Sequence, residues 1–236
     1  MLDDFLYVHK KALDKTKDNI KAIPLLWIYL IVYTMIFVFV FGSLGFLLRG
    51  TGYLGGVLYT ILRAMVFSHL LYTLDSLVNY KRIHWKDLKE GFTKYLSPSI
   101  TIFFAYYILE LLANILLSNI RGISPLIDLL IKLGFFISFA AAAEYIYIAG
   151  TYSYDSLIQS TKLASENPIN WTLFNAVLFI LFNGIGFSLD IFRPSFNLMP
   201  QTLVLLLFLS AYLIYRGYLF KELYMSTRRK REYMRR

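Results

Sequence analysis

Arg63, His69, Glu110, Lys132, Glu144 and Arg216 all fall inside long apolar stretches of the chain, as does Asp75. An ionisable group in hydrocarbon costs about 2.5–3.5 kcal/mol on insertion scales, so each needs a partner or a purpose. Three of these groups, Arg63, Lys132 and Arg216, are cations, set against two deeper acids, Glu110 and Glu144. That slight positive excess suits an anionic ligand, such as a lipid phosphate, better than a cation. One reading is a polar intramembrane pathway or an anionic-headgroup site. The other is a set of ion pairs that hold helices together, with end residues snorkelling. At a fixed helical rise, Glu144 lies about six residues and Arg216 about eight from the inner ends of their segments, so the two can meet. Arg63 and Lys132 lie about eight residues from the outer ends, and Glu110 at mid-depth is within reach of either. Asp128 and Lys132, four apart, can pair along one helix.

Signatures of catalysis are missing from the sequence. His9, His69 and His84 are isolated, without the paired-histidine spacing of a zinc hydrolase. Acidic residues are not grouped as a magnesium phosphatase or transferase needs. The glycines of "GTGYLGG" have no Lys-Ser or Lys-Thr after them, so they form no phosphate loop. There is no cysteine, which removes thiolate chemistry and disulfides together. The expectation is a protein that is not an enzyme, with no metal and no cofactor.

What must position the charged residues is a membrane bundle. The chain of 236 residues is 58% hydrophobic and 18% aromatic, against the roughly 45–50% apolar content of a water-soluble domain. Six apolar segments stand out, near Ala22–Leu48, Gly55–Val78, Ser99–Asn119, Pro125–Gly150, Asn170–Phe192 and Met199–Tyr224. Each is long enough to cross about 30 Å of hydrocarbon as a helix, and helix is required because lipid leaves an open backbone unsatisfied. The predicted fold is all-α, a polytopic bundle of six transmembrane helices in one integral membrane domain spanning residues 1–236.

The connections alternate in charge. Those near Arg49, Arg121 and Arg193 carry one basic residue each. The opposite side holds Lys10, Lys11, Lys15, Lys17 and Lys21, then Lys81, Arg82, Lys86, Lys89 and Lys94, then Lys162, then Lys221 and the tail. The positive-inside rule places that side, and both termini, in the cytoplasm of a cell (inner or plasma) membrane. The basic tail, 227–236, carries Arg228, Arg229, Lys230, Arg231, Arg235 and Arg236. Beside a span, such a segment is expected on anionic headgroups of the cytoplasmic face, at about 1 kcal/mol per charge, rather than on nucleic acid.

A polar stretch that runs into a proline and then an apolar run occurs three times: "ALDKTKDNIKAIPLLWIYL", "DLKEGFTKYLSPSITIFFA" and "SLIQSTKLASENPINWTLF". Leu13 precedes Pro24 by eleven residues and Leu157 precedes Pro168 by eleven, while Trp27 and Trp171 follow their prolines by three. The middle copy, Leu88 to Pro98, is one residue shorter. Each copy predicts an amphipathic elbow helix lying in the headgroup layer, stopped by the proline that starts the next span. Asn167 and Ser97 are expected to cap the new helices, and Trp27 and Trp171 to lie near the interface. The chain thus reads as three tandem units of elbow helix plus helical hairpin, about 5–78, 85–150 and 154–226.

This layout, with "YSYDSLIQSTKLASENPINW" after the fourth span, resembles a bacterial six-span membrane-domain superfamily. That group includes the membrane region fused to some glycerophosphodiester phosphodiesterases and related integral membrane proteins of unknown activity. The resemblance implies the fold and not the chemistry; the soluble phosphodiesterase barrel has no counterpart in this sequence. The functional expectation is a non-enzymatic multi-pass membrane protein that assists transport, assembly or membrane homeostasis, with a membrane-protein partner or a second copy. The alternative is a small transporter, channel or lipid-translocating protein that uses the intramembrane polar residues.

Overall fold

The structure is a computed structural model that describes residues 2–36, 53–83, 88–118, 125–152, 154–180 and 199–226. Among these residues every regular element is helical. In chain order they are α1 (Leu2–Asp18), α2 (Ala22–Ile36), α3 (Tyr53–Asn79), α4 (Leu88–Lys94), α5 (Leu96–Ser118), α6 (Pro125–Phe139), α7 (Ala142–Tyr147), α8 (Tyr154–Glu166), α9 (Pro168–Ile180) and α10 (Met199–Met225). Two of them, over Thr60–Asn79 and Pro200–Met225, are long and apolar enough to cross a membrane. A third span results if α1 and α2 count together. Of the six expected spans, Ala22–Leu48 lies within the described residues only to Ile36 and Asn170–Phe192 only to Ile180.

The three polar stretches form α1, α4 and α8. In α1, Asp3 and Asp4 occupy the first turn and Lys15 and Lys17 the last, each sign complementing the helix dipole. Its Val8, Ala12 and Thr16 recur four apart and are buried, a helical stripe facing a partner. α1 packs on α10, α4 on α3, and α8 on α6 and α7. The first short helix therefore docks on the last long one, joining the ends of the chain. After the turn at 19–21 the backbone swings by 81° into α2, with Pro24 in its first turn, where the missing N–H is harmless.

Close packing lies towards the ends that carry the short helices. Every residue of α3 from Leu71 to Val78 is buried, whereas Val57, Leu58 and Ile61 are exposed. α4 presses so tightly on α3 that a Cβ on Gly91 would stand 2.9 Å from His69 Cδ2 and 3.1 Å from Tyr72 Cδ1. Only glycine fits there. Ser68 Oγ clamps the same contact, donating to the Gly91 carbonyl at 2.8 Å and accepting the Tyr95 N–H at 3.1 Å.

Two helices end alike. Lys81, at φ 57°, follows α3, and the Arg82 N–H reaches back to the Ser76 carbonyl. Gly150, at φ 67°, follows α7, and the Thr151 N–H reaches the Tyr145 carbonyl at 3.0 Å. Both are six-to-one closures around a left-handed residue. Lys81 lies six residues after Asp75, and Gly150 six after Glu144.

Several local expectations are corrected. In the segment Pro125–Gly150 the regular helical bonding lapses at Ala140–Ala141, between α6 and α7, within an apolar helix that runs over Leu133–Tyr147. Asn167 does not cap α9; its amide turns back to the Leu163 carbonyl at 3.2 Å, closing α8 instead. Ser97 lies within the first turn of α5, because that helix begins at Leu96. Trp171 is fully buried beside Phe220 and Arg216. The indole of Trp27 donates to the Leu203 carbonyl of α10 at 2.9 Å.

Candidate functional site

The break between α6 and α7 is made good by side chains from other helices. The Arg216 guanidinium of α10 donates to the Ala140 carbonyl. Ser160 of α8 accepts the Ala141 N–H at 3.0 Å and donates to the Ser138 carbonyl at 2.8 Å. A helix interrupted among apolar elements needs such substitutes, since lipid offers none. From the broken end Arg216 Nη2 also reaches Glu144 Oε2 in the first turn of α7, at 2.8 Å. The cation thus caps the carbonyl end of α6 and the carboxylate sits at the amide end of α7, the favoured sign at each terminus.

This pair is closed off from its surroundings. The Glu144 and Arg216 side chains keep 3% and 10% of their exposure. The Trp171 and Tyr212 rings lie 5.4 and 5.9 Å from the guanidinium carbon, each within cation–π range. α10 reaches α3 and α7 through Gly217, where a Cβ would meet Tyr147 Oη at 2.8 Å and Val78 Cγ2 at 2.9 Å. Three donors nearby, Arg216 Nε, Trp171 Nε1 and Tyr147 Oη, are buried with no hydrogen-bond partner among the described residues.

The other sequence-predicted residues lie apart from this pair. Arg63 is exposed on α3, its guanidinium 5.7 Å from the Phe103 ring of α5. His69, one and a half turns further, is buried. Its Nδ1 meets the Tyr33 hydroxyl of α2, and the Phe92 ring of α4 lies 4.4 Å away. The side chains of Glu110, Asp128 and Lys132 lie outside the described residues, as does the whole basic tail from Arg228. Of the expected site, then, Glu144 and Arg216 are brought together, and Arg63 and His69 are separate from them and from each other.

Two charged contacts went unread in the sequence, and both bind a short helix to a long one. Asp75 of α3 accepts from Lys94 Nζ and Tyr95 Oη, each at 2.8 Å, and from Asn79 at 2.6 Å. Burial draws Lys94 down, but the hydrogen bond and charge of Asp75 outweigh it and leave the amine above the ordinary 10.5. Glu222 of α10 takes Lys11 at 2.8 Å and also Lys15, both from α1. Its hydrogen bond lifts Lys11 as well. His9 of α1 meets the Tyr215 hydroxyl, and burial holds its pKa below 6.5 against a raising backbone contact with Asn170. The readable signal was an acid near the end of one apolar segment with lysines in a polar stretch elsewhere.

Among the described residues no three His, Cys, Asp or Glu side chains gather in a way that could hold a metal ion. No family model, curated protein or solved structure matches the chain.

Proposed function

We propose that this is a non-enzymatic multi-pass membrane protein, built as three elbow-and-hairpin units with six spans and both termini in the cytoplasm. Its role is that of a membrane-embedded partner or assembly subunit in transport or membrane homeostasis. The observation that carries the reading is the closed Glu144–Arg216 pair. A transported ion or headgroup needs water access to the charges that handle it, and these two face each other and the packed rings around them. The repeat reading is supported by the matched closures at Lys81 and Gly150 and by a short helix docked on each of three helix ends.

A second reading, a small transporter or lipid-moving protein, is favoured by the break at Ala140–Ala141 and by the three unpartnered buried donors around Arg216. Discontinuous helices mark substrate sites in many transporters. Reconstitution separates the two. Vesicles of phosphatidylethanolamine and phosphatidylglycerol carrying the full chain are expected to match protein-free vesicles in proton, chloride and potassium leak and in lipid scrambling by dithionite bleaching. A flux that the protein adds, and that Glu144→Gln removes, overturns the subunit reading in favour of transport.

A further inference from the structure

We propose that the groove between α3 and α5 is a binding site for an anionic, phosphate-bearing bilayer lipid, with Arg63 on the phosphate and the acyl chain along the groove's aromatic wall. The groove is a cavity of about 310 Å³ lined by Thr60, Arg63, Phe67, Phe103, Tyr106 and Tyr107. That volume falls within the roughly 300–1,000 Å³ of small-ligand sites.

Its chemistry is amphiphilic. One end carries a guanidinium, which is always charged and matches phosphate in a bidentate fork. The rest is aromatic, with Phe67 and Phe103 locked edge-to-face at 5.4 Å and Tyr106 and Tyr107 exposed by 44% and 53%. Arg63 lies over Phe103, so the cation is oriented by the wall that would hold the chain.

The apolar setting favours a lipid over a dissolved anion. On the same two helices, Val57, Leu58 and Ile61 of α3 and Phe104 of α5 are exposed apolar side chains. Arg63 is the fourth residue of the apolar stretch Thr60–Asn79, so its long stem carries the guanidinium towards the headgroup layer, where a lipid phosphate lies. A lipid whose phosphate meets Arg63 keeps its tail against this apolar surface, which a dissolved anion does not use. The site is separate from the Glu144–Arg216 pair, so its failure leaves the subunit reading standing.

The test uses the full chain in mild detergent, titrated with dioleoyl phosphatidylglycerol and, in parallel, dioleoyl phosphatidylcholine, with bound lipid counted by native mass spectrometry. The expected result is one retained phosphatidylglycerol, weakened about tenfold or more in Arg63→Gln, weakened less in Arg63→Lys, which keeps the charge and loses the fork, and weakened in Thr60→Phe, which fills the groove and keeps the charge. Excess inorganic phosphate leaves the lipid in place. Equal phosphatidylglycerol binding by wild type and Arg63→Gln overturns the proposal, as does unchanged binding by Thr60→Phe. Displacement by inorganic phosphate overturns it too, in favour of a soluble anion.

Discussion

Arg216 of α10 and Glu144 of α7, separated by 72 residues of chain, meet at 2.8 Å inside the packed end of the molecule. Their union is what keeps the broken helix in place, because the same guanidinium holds the Ala140 carbonyl. Glu144→Gln leaves that guanidinium buried without its counter-charge, and breaking a buried pair from one side costs about 3–5 kcal/mol. The variant is expected to melt well below wild type in detergent. Replacing both partners, Glu144→Gln with Arg216→Met, removes the stranded charge and is expected to recover part of the loss. A single variant that melts like wild type refutes the pairing.

Stability against pH follows from groups outside the spans. Lys94 and Lys11 bind their protons more tightly in the native state than in the unfolded chain. Their contribution is therefore complete below 10.5 and is lost as the pH climbs through the raised native values. His9 has the opposite sign: burial lowers its native value below 6.5, so its contribution is complete above 6.5 and fades as the pH falls. Melting temperatures scanned from pH 5 to 11 are expected to hold level between these limits. Lys94→Met should flatten the alkaline fall and His9→Asn the acid one. An alkaline fall that Lys94→Met leaves unchanged removes Lys94 from the account.

Depth was legible in the sequence, and azimuth was not. Helical rise fixes how far a residue lies along its axis, which is enough to bring Glu144 and Arg216 to one level. Which neighbour a residue faces depends on rotation about the axis. Arg63 and His69 are six residues apart and point to different sides of α3, one to the groove with Phe103 and one to Tyr33. The break at Ala140–Ala141 was hidden by "FAAAAEY", a run of the best helix former. Tertiary bonds from Arg216 and Ser160 override that local preference. Docking of α1 on α10 was hidden for a similar reason, since nothing local in "LDDFLYVHKK" names its partner.

The paired helix ends make a sharper test of the internal resemblance between units. Gly150 has φ 67° and open space around a would-be Cβ, so Gly150→Ala meets only the strain of its own Cβ against the following carbonyl, about 1–2 kcal/mol in a left-handed site. Lys81 carries the same conformation with a side chain, so Lys81→Gly is expected to stabilise by up to about 1 kcal/mol. Opposite shifts in melting temperature from the two variants support equivalent roles. Destabilisation by Lys81→Gly means that its side chain matters more than its backbone.

Orientation is testable because the chain has no cysteine of its own. Lys10 of α1, Lys89 of α4 and Lys162 of α8 are exposed on the three short helices. In the three-unit arrangement all three helices lie on the cytoplasmic face, because each precedes a span entered from that side. Single Lys→Cys variants at these positions, labelled in intact cells with a membrane-impermeant maleimide, are expected to stay unreacted until the membrane is opened. Once it is opened, all three should react at similar rates, since none of the three lies within a packed contact. Labelling of Lys89→Cys and Lys162→Cys from opposite sides leaves an odd number of crossings between α4 and α8. The elbow-and-hairpin unit then fails, because each unit returns the chain to the face from which it started.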